Sequence, residues 1–148
     1  MSNSTLYERD FYAWANAQAQ LLRSGKVSEA DIAHIAEEIE SMGRTEKREL
    51  ISRLRVLLLH LLKWQLQPAL RCPSWRNSVR VQRIGLDSHL RDNPSLKSIL
   101  GEAIAEAFRV AKIEAENETG LAEDSFPEVC AWSFEQVMAD DFWPGSGP

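Results

Sequence analysis

Between Arg55 and Gln67 the chain reads RVLLLHLLKWQLQ, and Pro68 follows. This leucine run limits the available folds more than any other feature. Taken at roughly 100° per residue, Leu50, Leu54, Leu57, Leu58 and Leu61 form the central apolar face of one helix. Leu59, Leu62 and Leu66 occupy much of the remaining circumference. A helix that is apolar on nearly every side has to be covered, either by its own chain or by a second copy meeting Leu59, Leu62 or Leu66. A membrane span is excluded, because the run from Val56 to Leu62 is broken by His60, bounded by Arg55 and Lys63, and far short of ~20 residues.

The remaining segments also carry helix punctuation. Thr5-Leu6-Tyr7-Glu8 fits a capping box, and Gly25 suits the left-handed position beyond the end of a first helix. Ser28-Glu29-Ala30-Asp31 opens a second, with Val27 and Ile32 placed as a hydrophobic staple and Gly43 closing it. Thr45 caps the third, leucine-rich helix, which stops before Pro68. Ser74 caps a fourth, from Trp75 to about Arg91, and Asn93-Pro94 is the expected N-cap and first residue of a fifth, ending near Gly120. The tail from Leu121 predicts an ordered loop and a short helix begun by Ser133, packed down by Phe126, Trp132, Phe134, Phe142 and Trp143. No strand pattern, repeat or linker interrupts this series. The expected fold is all-α, a single domain over residues 1–148, with about five bundled helices, a packed C-terminal extension, and flexible ends at 1–5 and 145–148.

Charge is segregated along the chain. Residues 1–43 carry a net −4, residues 44–91 a net +8 and residues 92–148 a net −9, for −5 overall. A basic middle of this kind can steer nucleic acid, and Arg76, Arg80 and Arg83 share one side of helix 4. The low overall pI favours the other reading, in which basic helices lie against acidic helices of the same chain. No zinc finger, RNP motif or recognition-helix signature accompanies the arginines, so the nucleic-acid signal is weak.

Candidate chemistry centres on His60. Glu49, Arg53, His60, Trp64 and Gln67 make a polar and aromatic strip along the border of the leucine face. Asp31, Ile35, Glu38 and Met42 form a similar border on helix 2, and Asp10 falls beside Tyr7, Phe11 and Trp14 on helix 1. If these helices pack together, Asp10 or Glu38 meets Arg53 or His60. A buried carboxylate beside histidine or arginine serves acid–base chemistry, but it is also what any buried polar group requires, and the structural role is the expected one. His60 is therefore expected at the core edge, bonded to a carboxylate or backbone carbonyl of helix 1 or 2 and covered by Trp64.

Metal ligation by His34, Glu37 and Glu38 is outweighed by a solvated charged face. Cys72 and Cys130 lack metal-binding spacing and are expected as free thiols. No phosphate loop, nucleophile elbow or cysteine–histidine pattern occurs, so neither a metal nor a cofactor is implied. Trp14, Trp64 and Trp75 sit at apolar edges, where core packing is the default over base stacking. The N-terminus has no basic and apolar leader, and a cytoplasmic location without membrane association is expected.

The blocks YERDFYAW, EEIESMGRTEKREL, RLRVLLLHLLKWQLQP, SWRNSVR, ETGL and FPEVC resemble the bacterial family called domain of unknown function 29, over nearly the whole chain. The resemblance implies a small all-helical cytoplasmic protein and transfers no catalytic or binding residue. Its blocks fall on Tyr7, Asp10, Phe11, Trp14, Glu37, Glu38, Gly43, Arg44, His60, Lys63, Trp64, Trp75 and Arg76. Where the family pattern often reads Cys-Pro-aromatic, this chain has Cys130-Ala131-Trp132. The leading functional reading is a non-enzymatic interaction module for a protein partner or for itself. The alternative is an enzyme or nucleic-acid-processing protein with catalytic candidates His60, Glu38, Asp10 and Arg53, and binding residues Trp64, Trp75, Arg76, Arg80 and Arg83.

Overall fold

The computed structural model describes residues 3–145, and among them every regular element is helical. The α-helices are α1 (Asn3–Arg9), α2 (Phe11–Arg23), α3 (Ile32–Leu66), α4 (Pro73–Asp92), α5 (Leu100–Thr119) and α6 (Phe134–Met138). Short 3₁₀ turns occupy Val27–Glu29, Pro68–Leu70, Pro94–Ile99 and Glu123–Ser125. The all-α class expected from the sequence holds. Gly25 and Gly120 take the left-handed conformation that ends α2 and α5, with φ of 76° and 73°. Ser133 forms a complete capping box with Gln136 at the start of α6. Of the ends expected to be flexible, residues 1–2 and 146–148 lie outside the described residues, and residues 3–5 already belong to α1.

Several boundaries differ from expectation, each for a local reason. The first helix is divided at Asp10, whose carboxylate accepts from Ala13 N at 3.1 Å and so caps α2. The expected second and third helices are one continuous helix. Gly43 keeps a negative φ, and Thr45 Oγ1 donates back to the Ser41 carbonyl at 3.0 Å instead of capping a new start. A mid-helix glycine costs only about 1 kcal/mol, too little to stop a helix flanked by strong formers. α4 begins at Pro73 rather than after Ser74, since proline suits a first-turn position. Asn93 Nδ2 donates to the His89 carbonyl at 3.1 Å, closing α4, so residues 94–99 form a 3₁₀ turn and α5 starts only at Leu100.

The chain divides into two compact units, one up to Thr45 and one from Glu46 onward. In the first, aromatic and polar groups stand where an apolar core would be. Trp14 is buried, its ring centroid 4.8 Å from Tyr7 and 5.4 Å from Phe11. Its indole N–H donates to Asp31 Oδ2 at 3.1 Å, and His34 Nδ1 donates to the same oxygen at 2.8 Å. Burial pushes the Asp31 carboxyl up, but the hydrogen bonds from His34 and Trp14 outweigh it and hold the group below the usual carboxylate range. The Asp31 backbone N–H donates to Gln18 Oε1 at 2.7 Å. Tyr7 stacks on His34 at 4.1 Å and donates its phenolic proton to Glu38. His34 thus leaves the solvent face assigned to it, because the Tyr7 ring and Asp31 provide better partners than water. Val27 and Ile32 are both more than half exposed, so the expected staple does not form.

The second unit contains the leucine core. Leu50, Leu54, Leu57, Leu58, Leu61 and Leu62 are completely buried and Leu59 nearly so, which closes off the dimer route through Leu59 and Leu62. α5 contributes Ala103, Ala107, Ala111 and Ala115, a stripe of small side chains at every fourth residue, beside Phe108. Val79, Leu86 and Leu90 of α4 and Phe126 and Val137 of the tail complete the enclosure. Lys47 pairs with Glu102, Arg55 with Glu114 and Lys63 with Glu118, so α3 and α5 run in the same direction and acidic side chains of α5 neutralise these three basic ones of α3.

Two outcomes follow. Gly43→Ala should stabilise the protein by about 0.5 to 1 kcal/mol in chemical denaturation, because the position is helical with open space around it. The Tyr7 phenol, whose proton Glu38 accepts, is pushed up to about 12. In a Tyr12→Phe background the remaining tyrosinate absorbance should therefore rise with a midpoint near that value, and Glu38→Gln should move the midpoint down. An unmoved midpoint would show that Glu38 does not hold the phenol.

Candidate functional site

α4 sets the three arginines by its periodicity. Arg83 lies four residues after Val79 and three before Leu86, both fully buried, so its side chain must enter the core side. Arg76 and Arg80 flank that face and remain exposed. Arg83 is 4% exposed, donating from Nε to the Val137 carbonyl at 2.8 Å and from Nη2 to the Phe142 carbonyl at 2.7 Å. Nη1 reaches the Asp140 carbonyl at 3.5 Å. Burial lowers its pKa, and the nearby Asp140 and Asp141 charges oppose that shift. The three arginines therefore do not form a single exposed basic face. Arg83 clamps the C-terminal segment, and two arginines are left outward.

That clamp places Trp143 beside the outward pair. The Arg83 guanidinium lies 5.1 Å and that of Arg76 5.9 Å from the Trp143 ring centroid. Arg76, Arg80, Arg83, Asp87, Asp140 and Trp143 are among the residues that line an open groove of about 790 Å³. A second depression of about 520 Å³ shares Arg76 and Arg80 and adds Trp64 and Arg71. Among the described residues neither Arg76 nor Arg80 has a carboxylate within ion-pairing distance. Arg80 Nη1 reaches only as far as the Asn77 amide oxygen, at 3.4 Å. Two guanidinium groups one helical turn apart, next to an indole, can take the oxygens of a phosphate or carboxylate while a flat group rests on the aromatic side.

The other binding candidates support this groove from behind. Trp64 packs on Trp143 at 4.7 Å, and Arg71 lies over the Trp64 ring at 5.0 Å while donating to the Trp64 carbonyl at 2.7 Å. The Trp64 indole N–H is buried without a hydrogen-bond partner. Trp75 is covered by Lys63 at 4.6 Å. Sequence reasoning did not reach Arg71, and it named Trp143 only as a residue that packs the tail. Arg71 follows a proline and a 3₁₀ turn, and Trp143 sits in an irregular tail whose path depends on Arg83.

Each of the four catalytic candidates is taken up by a partner of its own. His60 Nδ1 bonds the Val56 carbonyl of its own helix at 2.7 Å, which corrects the expectation of a partner from helix 1 or 2. An i−4 carbonyl is the nearest available acceptor and needs no second element. Glu38 is engaged by Tyr7, and Asp10 caps α2. Arg53 binds Glu49 Oε1, at 3.2 Å from Nε and 3.1 Å from Nη2, and approaches Gln82 at 3.3 Å. Beside it lies a residue that the strip pattern did not reach. His89 is 7% exposed, with Nε2 at 2.9 Å from the Glu46 carbonyl and Nδ1 at 3.2 Å from Glu49 Oε2. Glu46, Glu49 and Arg53 were readable as one face of α3 at i, i+3 and i+7. Their meeting with α4 was not.

Because Arg83 supplies charged donors to buried carbonyls, Arg83→Met should cost about 2 to 4 kcal/mol and expose the segment after Ser133 to proteolysis. Arg80→Met, on the same helix, should change stability by less than about 0.5 kcal/mol.

No curated protein matches the chain, and no solved structure does. A family model does match, over residues 6–143, nearly the whole length, and its description is a domain of unknown function. The protein belongs to the family Domain of unknown function DUF29.

Proposed function

We propose that the protein is a non-enzymatic binding module whose groove beside α4 takes a compact phosphate-bearing ligand with a flat ring, such as a nucleotide. The observation that carries this reading is the pair of exposed guanidinium groups, Arg76 and Arg80, without carboxylate partners beside Trp143. Arginine in pairs favours phosphate, and the indole favours a ring. Elsewhere in the basic middle Lys47, Arg55 and Lys63 are neutralised by α5, and the net charge of −5 opposes a long polyanion. A small ligand that meets only the local charge avoids that repulsion. The groove volume falls in the range of small-molecule sites.

Calorimetric titration at low salt with ATP and with pyrophosphate tests the reading. ATP should bind more tightly than pyrophosphate, both affinities should fall with added salt, and the double variant Arg76→Ala/Arg80→Ala should lose at least about tenfold without a change in melting temperature. No heat of binding at low salt, or equal binding by the double variant, would defeat it.

A second reading, association with a protein partner or a second copy, is favoured by a different surface. Ile32, Ile39 and Met42 are 52%, 63% and 68% exposed on the first part of α3, at spacings that share a helix side. Sedimentation velocity over a concentration series should then show self-association that Ile39→Glu removes. A strict monomer at all concentrations would leave only a foreign partner for this surface.

A further inference from the structure

We propose that Glu46, Glu49 and His89 form a site for one divalent first-row transition ion of the Zn²⁺ class. This inference is independent of the groove beside α4. Glu46 and Glu49 stand at i and i+3 on α3, and α4, running antiparallel, brings His89 against them. One ligand atom from each residue lies within 4.8 Å of the other two.

The histidine carries the argument. Its ring is more than nine-tenths buried, and Nε2–H donates to the Glu46 main-chain carbonyl at 2.9 Å. That bond fixes the ring and its tautomer as the outer hydrogen bond of a metal-bound histidine does. Nδ1 then faces Glu49 Oε2 at 3.2 Å, and Glu46 Oε2 lies 3.6 Å from Nε2. A carboxylate oxygen and a ring nitrogen at that separation are bridged either by a proton on Nδ1 or by a metal ion. Ligand bonds of about 2.0 to 2.2 Å with tetrahedral angles give an edge of about 3.3 to 3.6 Å, close to the distance present.

The surroundings agree. Glu49 Oε1 is held by Arg53, so Oε2 is turned toward His89. Residue 85 has to be glycine for that arrangement, since a β-carbon there would overlap the Arg53 guanidinium. The two carboxylates exceed the single arginine by one negative charge, which favours a cation. Both glutamates are more than two-fifths exposed and border a cavity of about 430 Å³, so water has room to complete the coordination. One imidazole with two carboxylates suits Zn²⁺ better than Mg²⁺, which prefers an all-oxygen shell.

The test uses the full chain, stripped with a chelator and titrated with Zn²⁺ by calorimetry, with Co²⁺ absorption as an independent readout. One ion should bind per chain, Co²⁺ should give visible bands of low coordination number, and the ¹⁵N signal of His89 Nδ1 should shift while Nε2 stays protonated. Glu49→Gln and Glu46→Gln, both at part-exposed positions, should each weaken binding by at least about tenfold, whereas His34→Ala should not. No stoichiometric uptake by the wild-type chain would overturn the proposal and leave a proton as the cation between His89 and Glu49. Uptake unchanged in both glutamate variants would overturn it as well.

Discussion

From Val56 to Leu62 the third helix is apolar on nearly every side, and the second unit is organised around covering it. Covering the helix requires neighbours of different thickness. α5 answers with alanines at every fourth residue, which allow a close approach, and places its glutamates outside that stripe where they meet Lys47, Arg55 and Lys63. α4 and the tail cover the remaining face. The charge segregation along the sequence is a consequence of this packing, because a helix apolar at its centre and basic at its borders is best covered by one that is small at its centre and acidic at its borders.

The same packing decides what the arginines of α4 do. A helix presenting Val79, Leu86 and Leu90 to the core must also turn Arg83 inward, and a buried guanidinium requires acceptors. The tail provides them as main-chain carbonyls, which hold its end in place without committing a carboxylate. Trp143 reaches α4 through that clamp, and Arg76 and Arg80 gain an aromatic neighbour. The groove is therefore derived from the core, and its shape depends on the largely buried Arg83.

What the sequence made legible follows from the range of each interaction. The leucine face, the glycines at 25 and 120 and the cap at Ser133 are signals carried by a few neighbouring residues, and all of them hold. Gly43 misled because its cost is small beside the propensity of the residues around it. Arg83 misled because three arginines at helical spacing look alike until the buried face is known to within one residue. The His60 expectation assumed a partner from another helix, while the Val56 carbonyl was already within reach. His89 was out of sight for the opposite reason: its partners lie forty or more residues away, and nothing local to DSHLRD marks it.

Side-chain ¹⁵Nε NMR reads the division of labour among the α4 arginines directly. On addition of ATP, the Arg76 and Arg80 signals should shift together while that of Arg83, locked to the tail, stays where it was. Shifts confined to arginines of α3, or an Arg83 signal that exchanges as fast as an exposed side chain before any ligand is added, would contradict it.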